Sequence, residues 1–288
     1  MKKWMAFVLA ALLVLGCAGC GQQTRVDLSE ATTLADLKGA KIAAQAGTFH
    51  ADALSQIEDV QSSTYPDFTD LLTALKSGAI DGYIAEEPTA LSVCQSDSNL
   101  TYIPLENNKT GFKATAADVG IAIGVKTDSP LRDQINAVLD TVTTEQKEAL
   151  MEQIVTLASG GTVDSFALES EEPAEPAGVL RIGMECAYEP YNWTELKAGL
   201  PGEVAISGEG KNGQYANGYD VQVARYVANK LGLKLEIYAL EWDSLIPALD
   251  SGTIDAICAG MSPTAEREEQ IDFTQTYYES NLVVIIKK

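Results

Sequence analysis

The sequence predicts an α/β protein built from two lobes of similar design. The main observation is an internal repeat, in which residues 68–86 (FTDLLTALKSGAIDGYIAE) align without a gap with residues 242–260 (WDSLIPALDSGTIDAICAG). In each copy an amphipathic helix ends at a glycine and an apolar strand follows, which is the return half of a strand–helix–strand unit. Because ligands of open parallel sheets bind beyond the carboxyl ends of the strands, the two strand ends are expected to face each other across a cleft.

The remaining elements follow from the apolar pattern along the chain. A break in composition at residues 159–177, which contains most of the run SEEPAEPAG, is typical of a surface linker. Residues 194–217 are rich in Gly, Asn and Lys and are predicted to form a loop. Predicted strands cover 41–45, 80–85, 99–105, 119–126, 179–184, 234–239, 254–259 and 281–286, and predicted helices cover 34–39, 66–77, 88–94, 129–142, 144–158 and 219–231.

Composition and charge exclude several classes of partner. The formal net charge is −21, which leaves no basic surface for nucleic acid and disfavours docking on anionic lipid. A cationic ligand is compatible with this charge. Beyond residue 20 the chain has Cys94, Cys186 and Cys258, an odd number without short spacing, which predicts neither a disulfide framework nor a metal site. Cys186 and Cys258 could pair, but buried free thiols are favoured.

Residues 1–20 (MKKWMAFVLAALLVLGCAGC) are predicted to be an export signal, because two Lys precede a short apolar run that ends in small residues. The run is too short for a helix that spans a membrane. Two positions resemble a lipobox, in which a Cys becomes the lipidated first residue of the mature chain. Cys17 fits this pattern better than Cys20. The sequence thus predicts an exported cell-surface protein that a lipid tethers to the outer face of the cell membrane.

The most distinctive stretch follows the second repeat strand. The apolar run 254–259 ends at Gly260, and Met261 and Ser262 lead into a short helix that contains Arg267. A strand that runs into a helix in this way exposes backbone N–H groups and a hydroxyl, and helix N-termini bind anions. The planar guanidinium of Arg267 matches a carboxylate. The stretch therefore predicts a site for a small anionic group, with an ordinary strand–helix turn as the alternative.

Six segments together carry a family resemblance. They are VLRIGMECAYEPYNW, NGYDVQVARYVANKLG, EWDSLIPALDSGTIDAICAGMSPTAEREEQIDFTQTYYES, LADLKGAKIAAQAGTF, ALKSGAIDGYIAEEP and VGIAIGVKTDSPLRDQINAVL. They resemble the polar amino-acid solute-binding proteins of ABC importers, family 3, over nearly all of residues 28–158 and 178–288. The resemblance implies the two-lobed type II fold of periplasmic binding proteins, in which each lobe is a mixed, mainly parallel sheet flanked by helices and a hinge connects the lobes.

The order of these segments departs from the family pattern, since the second lobe of the family comes first here. The chain thus resembles a circular permutation, which is tolerated where termini are exposed and close together. It is expected to leave one of the two crossings between the lobes without a covalent link. A monomer is predicted, with a domain-swapped dimer as the alternative. The implied organisation is a signal and anchor region (1–20), the second lobe (21–118), the return crossing and last helices of the first lobe (119–158), a linker (159–177) and the main part of the first lobe (178–288).

The resemblance also assigns the two charged ends of an amino acid. The contacts to the α-carboxylate fall on Arg267, Ser262, the Gly260 backbone and Thr48, which lies in a second small-residue turn. The contact to the α-ammonium falls on Glu86, where the family commonly has Asp, so the side chain reaches one methylene further.

The side chain of the ligand is assigned to Glu185, Tyr188 and Trp242, with Gln45, Phe49 and Tyr191 as secondary contacts. Two aromatic faces can enclose an alkyl chain or a cation, and the Glu185 carboxylate can pair with an ammonium or a guanidinium. For Tyr188 and Trp242 the alternative is plain core packing, and for Glu185 it is a solvated acid at a strand end. This set favours arginine or lysine over glutamine or histidine.

Four further polar residues are assigned structural roles. His50, the only histidine, is expected to face solvent from a helix, with a ligand contact as the alternative. Asp220 is expected to cap the helix that follows it. Asp81 and Asp255 recur in the repeat and are expected to fix its glycine turn.

These features predict a binding protein without a cofactor that takes a free amino acid and delivers it to the membrane subunits of an ABC permease. An enzyme such as a dehydratase or lyase on the same fold is the alternative from another class. No nucleophile–base pair or metal-spaced cluster supports it, and the single histidine is poorly placed for acid–base chemistry. A signalling receptor would need an output domain after the lobes.

Overall fold

The computed structural model describes residues 26–288, so Cys17 and Cys20 lie outside the described residues. Three short 3-10 turns lie at Leu34–Leu37, Leu54–Gln56 and Trp242–Ser244. The strands are β1 (Ile42–Gln45), β2 (Ser63–Tyr65), β3 (Gly82–Glu86), β4 (Leu100–Ile103), β5 (Gly120–Val125), β6 (Val179–Met184), β7 (Ala187–Tyr188), β8 (Asn192–Glu195), β9 (Val204–Ser207), β10 (Tyr215–Asn217), β11 (Lys234–Ala239), β12 (Ala256–Ile257), β13 (Asp272–Glu279) and β14 (Leu282–Lys287). The helices are α1 (Phe49–Ala53), α2 (Phe68–Ser77), α3 (Glu87–Ser96), α4 (Ala116–Val119), α5 (Leu131–Leu139), α6 (Thr144–Ala158), α7 (Tyr219–Lys230), α8 (Leu245–Ser251) and α9 (Ala265–Glu268).

Two mixed sheets organise these elements, which confirms the predicted α/β class. The small sheet has the order β2-β1-β3-β14-β4, and the large sheet has the order β13-β5-β12-β6-β11-β9-β10-β8-β7. In the small sheet β1 is parallel to β2 and β3, whereas β14 is antiparallel to β3 and β4. In the large sheet β6 is parallel to β11 and β12, and β5 is antiparallel to β12 and β13.

The chain passes between the sheets at two neighbouring places. One crossing joins β4 to β5, and the other joins β13 to β14. Gly120 and Glu279, at the two crossings, are paired partners in the large sheet. Both crossings are continuous in this chain, so the expectation that one of them lacks a covalent link is wrong. The last strand, β14, lies in the small sheet although its residues belong to the range 178–288.

Strand alternation divides the core into two clusters. On β3, Tyr83 and Ala85 belong to the cluster that extends into the large sheet, whereas Ile84 packs in the cluster on the other face of the small sheet. This period of two is what a strand buried on both faces requires. The central strand β14 divides in the same way, with Val283 and Ile285 on one face and Val284 on the other.

Two predicted irregular regions are more ordered than their composition suggests. The segment 194–217 contains β9 and β10, which pair antiparallel around a glycine-rich turn, so the prediction of a plain loop was wrong. The segment 159–177 has no helix or strand, but Phe166 and Leu168 are buried in the large core cluster. These two apolar side chains hold the connection against the protein, while its Pro and Glu residues lie on the outside. Within residues 26–288, no helix has the length and apolar character that crossing a bilayer needs.

Candidate functional site

A small cleft between the two sheets collects most of the residues that the sequence singles out. It lies beyond the ends of β1 and β3 on one side and of β12 on the other, as the repeat predicts. Its lining residues are Gln45, Thr48, Phe49, His50, Phe68, Glu86, Tyr188, Trp242, Gly260, Ser262 and Arg267. Of the other predicted site residues, Glu185 hydrogen-bonds to Gln45, and Met261 is buried and lines a larger neighbouring cavity.

The turn after β12 supplies a cation to the cleft. Arg267 is 9% exposed, and its two terminal nitrogens donate to the carbonyls of Ser262 (2.8 Å) and Gly47 (2.9 Å). Its guanidinium also lies 5.2 Å from the centroid of the Trp242 ring. Burial lowers the pKa of the Arg267 guanidinium, because the charged form loses hydration. A buried cation that is held by neutral carbonyls is electrostatically suited to an incoming carboxylate.

The conformation of this turn depends on a glycine. Gly260 has φ +61°, in the left-handed region, and a Cβ on it would lie 3.1 Å from the Tyr188 ring. A larger residue would therefore strain the backbone and crowd the aromatic side chain.

The end of β3 supplies an anion to the same cleft. Glu86 is 4% exposed, and its Oε1 lies 3.1 Å from Nε2 of His50. The other carboxylate oxygen, Oε2, is buried without a hydrogen-bond partner among the described residues. The expectation that His50 faces solvent is wrong, since it is 7% exposed and lies edge-on to the Phe68 ring at 6.0 Å. A carboxylate at this strand end attracts the imidazole inward, which the helical pattern alone could not reveal.

A second carboxylate lies at the end of β6. Gln45 Nε2 donates to Oε1 of Glu185 at 2.8 Å, and Oε2 of Glu185 is buried without a partner among the described residues. Burial, helped by the nearby carboxylates of Asp67, Glu241 and Asp243, raises the pKa of Glu185 to about 7, although the hydrogen bond from Gln45 lowers it. A cationic group placed here would satisfy the free oxygen and favour the ionised form.

Aromatic rings line the cleft from both sides. Tyr188 stacks on Phe68 with ring centroids 4.0 Å apart and an interplanar angle of 11°. Trp242 Nε1 donates across the cleft to the carbonyl of Gly47 at 3.3 Å. Sequence analysis did not single out Phe68, which lies in the predicted helix 66–77. The repeat could have indicated Phe68 as a lining residue of the cleft, because its alignment pairs Phe68 with Trp242.

Behind the turn lies a buried polar network centred on Asp220. Its carboxylate accepts hydrogen bonds from Tyr277 (2.5 Å), from Asn192 (2.8 Å) and from the Gly260 backbone. Asn192 in turn accepts from the backbone N–H of Cys186 at 2.7 Å. Burial raises the pKa of Asp220 to about 7. The predicted helix cap is wrong: Gly218 precedes α7, and the carboxylate of Asp220 instead ties the two large-sheet turns of the site together.

Cys186 and Cys258 are both buried and free. Across residues 26–288, His, Cys, Asp and Glu side chains form no group of three or more that could hold a metal ion. The residues that line the cleft offer charge pairing, hydrogen bonding and aromatic contact.

A cleft between two α/β sheets, with a buried cation on one lip and a buried anion on the other, defines a protein that encloses a small charged molecule. The profile of the bacterial extracellular solute-binding proteins, family 3, matches residues 180–288. Residues 180–288 of this chain are thus similar to this family.

Curated relatives point in the same direction. The arginine-binding extracellular protein ArtP of Bacillus subtilis (strain 168) is 40% identical over 80 residues, which are 28% of this chain and 31% of ArtP. The L-cystine-binding protein TcyA of the same organism is 33% identical over 111 residues, 38% of this chain and 35% of TcyA. The chain thus spans about a third of the length of these relatives. The family and both relatives carry the names of binding proteins and not of enzymes.

Among solved structures, the ancestral cationic amino acid solute binding protein AncCDT-1 is 36% identical over 33% of this chain and 34% of its own, with a TM-score of 0.26.

Proposed function

We propose that the protein binds a free amino acid between its two lobes. The observation that carries this proposal is the pairing of opposite charges across one buried cleft. Arg267, 9% exposed, faces the cleft from the large sheet, and Glu86, 4% exposed with one oxygen unpartnered, faces it from the small sheet. A bare anion or cation would satisfy only one of these groups, whereas a zwitterion satisfies both.

The α-carboxylate of the ligand pairs with Arg267, supported by the Ser262 and Thr48 hydroxyls and the Gly260 backbone. The α-ammonium pairs with Glu86. Since these groups come from both lobes, neither lobe alone completes the site. Ligand contacts that exist only when the lobes approach each other favour the closed state, which is how such proteins couple binding to a hinge motion.

The ligand has a basic side chain, with arginine and lysine as the preferred candidates. Glu185 supplies an unpartnered, buried carboxylate oxygen, and Tyr188 and Trp242 supply aromatic faces for an alkyl chain or a cation. Names of the relatives support this class, since ArtP and a protein of Pseudomonas aeruginosa are named arginine-binding proteins. Glutamine, histidine and cystine are the competing ligands, and the last two occur in other relatives' names.

The protein serves an ABC importer as its extracellular receptor and presents the amino acid to the permease subunits in the membrane. A lipid on Cys17, or on Cys20, tethers it to the outer face of the cell membrane. Support comes from the name of the family, which is one of extracellular proteins, and from the signal-like sequence of residues 1–20. Mass spectrometry of the membrane fraction after Cys17→Ala and Cys20→Ala substitution identifies the lipidated residue.

The chain is a circular permutant of the family and folds as a monomer. The matched family segment, residues 180–288, follows the segments that resemble the second lobe, and residues 159–177 connect the two sets. Buried Phe166 and Leu168 support a connection that is packed against its own lobe. Light scattering that shows only a dimer would favour the domain-swapped alternative.

Calorimetric titration with each of the twenty amino acids tests the proposed function. We expect heat with arginine or lysine and weaker or no heat with acidic amino acids, which would meet Glu185. An absence of heat for every polar amino acid would remove the proposal. Binding of glutamine or histidine in preference to arginine would keep the amino-acid role and overturn the basic specificity.

A further inference from the structure

The small-sheet side of the cleft contains a histidine–glutamate pair. The family resemblance assigns a role to the glutamate but not to the histidine. His50 on α1 and Glu86 on β3 are both more than nine-tenths buried, with Nε2 of the imidazole 3.1 Å from Oε1 of the carboxylate. Each partner has one polar atom left over. Nδ1 of His50 and Oε2 of Glu86 are buried and have no hydrogen-bond partner among the described residues.

The unsatisfied atoms belong to side chains that line the same cleft. A buried polar atom without a partner is unfavourable because it has lost its hydration, so such atoms at a cleft indicate a ligand group that completes them. If the Nε2–H tautomer of a neutral His50 donates to Glu86, both remaining atoms are acceptors. An α-ammonium has three N–H donors, so it can use both.

From this geometry we infer that neutral His50 is part of the ammonium subsite, and that protonation of His50 opposes ligand binding. The inference rests on the proposed function, since it concerns the same amino-acid site. Protonated His50 has no free acceptor, and its positive charge pairs with Glu86 in place of the ligand's ammonium. Acid that protonates His50 would therefore weaken ligand binding.

Other charged groups near the pair do not supply the same switch. Arg267 faces the cleft from the opposite lip, and Asp52 on the same helix as His50 interacts with Arg267. Asp220 and Tyr191 contribute a long-range interaction with Glu86 from the large sheet. Tyr188 also lines the cleft, and its hydroxyl has no partner among the described residues. Burial raises the pKa of Tyr191 above its ordinary value, so Tyr191 stays neutral across this range.

Glu185 and Asp220 also titrate near neutral pH, because burial raises the pKa of each to about 7, and both contribute to any pH profile of the wild-type protein. A comparison of two proteins that both retain Glu185 and Asp220 removes these contributions. The comparison variant is His50→Gln, whose amide can occupy the Nε2 position and donate to Glu86 but stays neutral at every pH.

The experiment measures the Kd of the best amino-acid ligand by calorimetry for wild type and His50→Gln from about pH 8 to about pH 5.5. Where binding requires loss of one proton, Kd rises about tenfold for each unit of pH below the titration. We therefore expect the ratio of wild-type to variant Kd to rise progressively as the pH is lowered from about 8 to about 5.5, by up to about tenfold for each unit of pH. His50→Phe, which cannot donate to Glu86 or accept from the ligand, is expected to bind at least tenfold more weakly than His50→Gln at pH 8.

Parallel pH profiles for wild type and His50→Gln would overturn the inference and leave the proposed function intact. Wild-type protein that binds no amino acid at any pH would overturn the proposed function, and the inference with it. Because the chain has one histidine, its imidazole resonance in an NMR titration provides an independent measurement. Ligand should shift the titration of this resonance to lower pH, and an unchanged titration would contradict the inference.

Discussion

The two copies of the repeat, residues 68–86 and 242–260, share a scaffold but not a strand end. Each helix stops at a glycine in the left-handed region, Gly78 with φ +82° and Gly252 with φ +77°. An aspartate three residues later, Asp81 or Asp255, accepts a backbone N–H from the adjacent strand at 2.9 Å. These hydrogen bonds hold the adjacent chain segment, and the predicted role of the aspartates at the glycine turn stays a prediction.

The strand ends then diverge in charge. The first copy ends in Glu86, which is buried beside His50, whereas the second ends in Gly260 and continues to Arg267. The shared scaffold places these strand ends opposite each other. The difference between the copies is therefore the charge that each contributes to the cleft. Residues that build the scaffold and residues that bind are thus separable, and mutations can test each set alone.

The largest expected effect comes from removing the cationic end. Arg267→Ala should weaken the binding of every amino acid by about a hundredfold or more, since loss of one partner from a buried charge pair costs about 2–5 kcal/mol. Calorimetry with several amino acids of different side chains measures it. Arg225→Ala is the matched control, because Arg225 lies on the helix surface and its nearest carboxylate, that of Glu172, is 3.9 Å away. Binding by Arg267→Ala within threefold of wild type would contradict the assignment of the carboxylate.

A smaller and more selective effect is expected at Glu185, which belongs to neither copy. Glu185→Gln should weaken arginine or lysine binding by about tenfold and leave glutamine binding within about twofold, because only cationic ligands use the charge. Since burial raises the pKa of Glu185 to about 7, the carboxylate ionises as pH rises through about 7, and affinity for a cationic ligand should increase there. This increase should be smaller in Glu185→Gln. Equal weakening of glutamine and arginine would refute the charge pairing.

The ionisation of Glu185 should also change the stability of the folded protein, but in the direction opposite to the change in ligand affinity. The pKa of Glu185 is higher in the folded protein than its ordinary value of 4.5, so the folded state holds this proton more tightly than the unfolded state does. The associated stability is present below about pH 4.5 and is lost as pH rises to about 7. Chemical unfolding of wild type and Glu185→Gln without ligand should therefore show a steeper loss of wild-type stability across this interval.

Sequence patterns predicted the parts of the site that depend on local geometry. A strand that ends in glycine before a polar turn identified Gly260 and Arg267, and the repeat supplied Glu86 as the facing group. Phe68 was missed, and a solvent-facing position was preferred to a ligand contact for His50, because the surroundings of both residues depend on what lies across the cleft. Helical periodicity reports which face of a helix is buried, but it cannot tell a core contact from a contact to another lobe.

Side-chain networks were the least predictable feature. Asp220 follows a glycine at the start of a helix, which favours a cap, yet its carboxylate bonds to Tyr277, Asn192 and the Gly260 backbone. These partners are far apart in sequence and meet only after the large sheet has formed. The order of the lobes, in contrast, could be proposed from the sequence segments alone. Only the strand topology showed that both crossings between the lobes are continuous.

The smallest expected effect tests the shared scaffold itself. Gly78→Ala and Gly252→Ala should each destabilise the protein by about 1 kcal/mol, because alanine disfavours the left-handed conformation that ends both helices. Urea unfolding measures the change, and the two variants should agree within about 0.5 kcal/mol if the copies are equivalent. Ligand Kd should remain within about twofold of wild type for both, since each glycine lies at the end of its strand opposite to the cleft. A selective loss of binding in one variant would show that the scaffold and the binding residues are coupled in that copy.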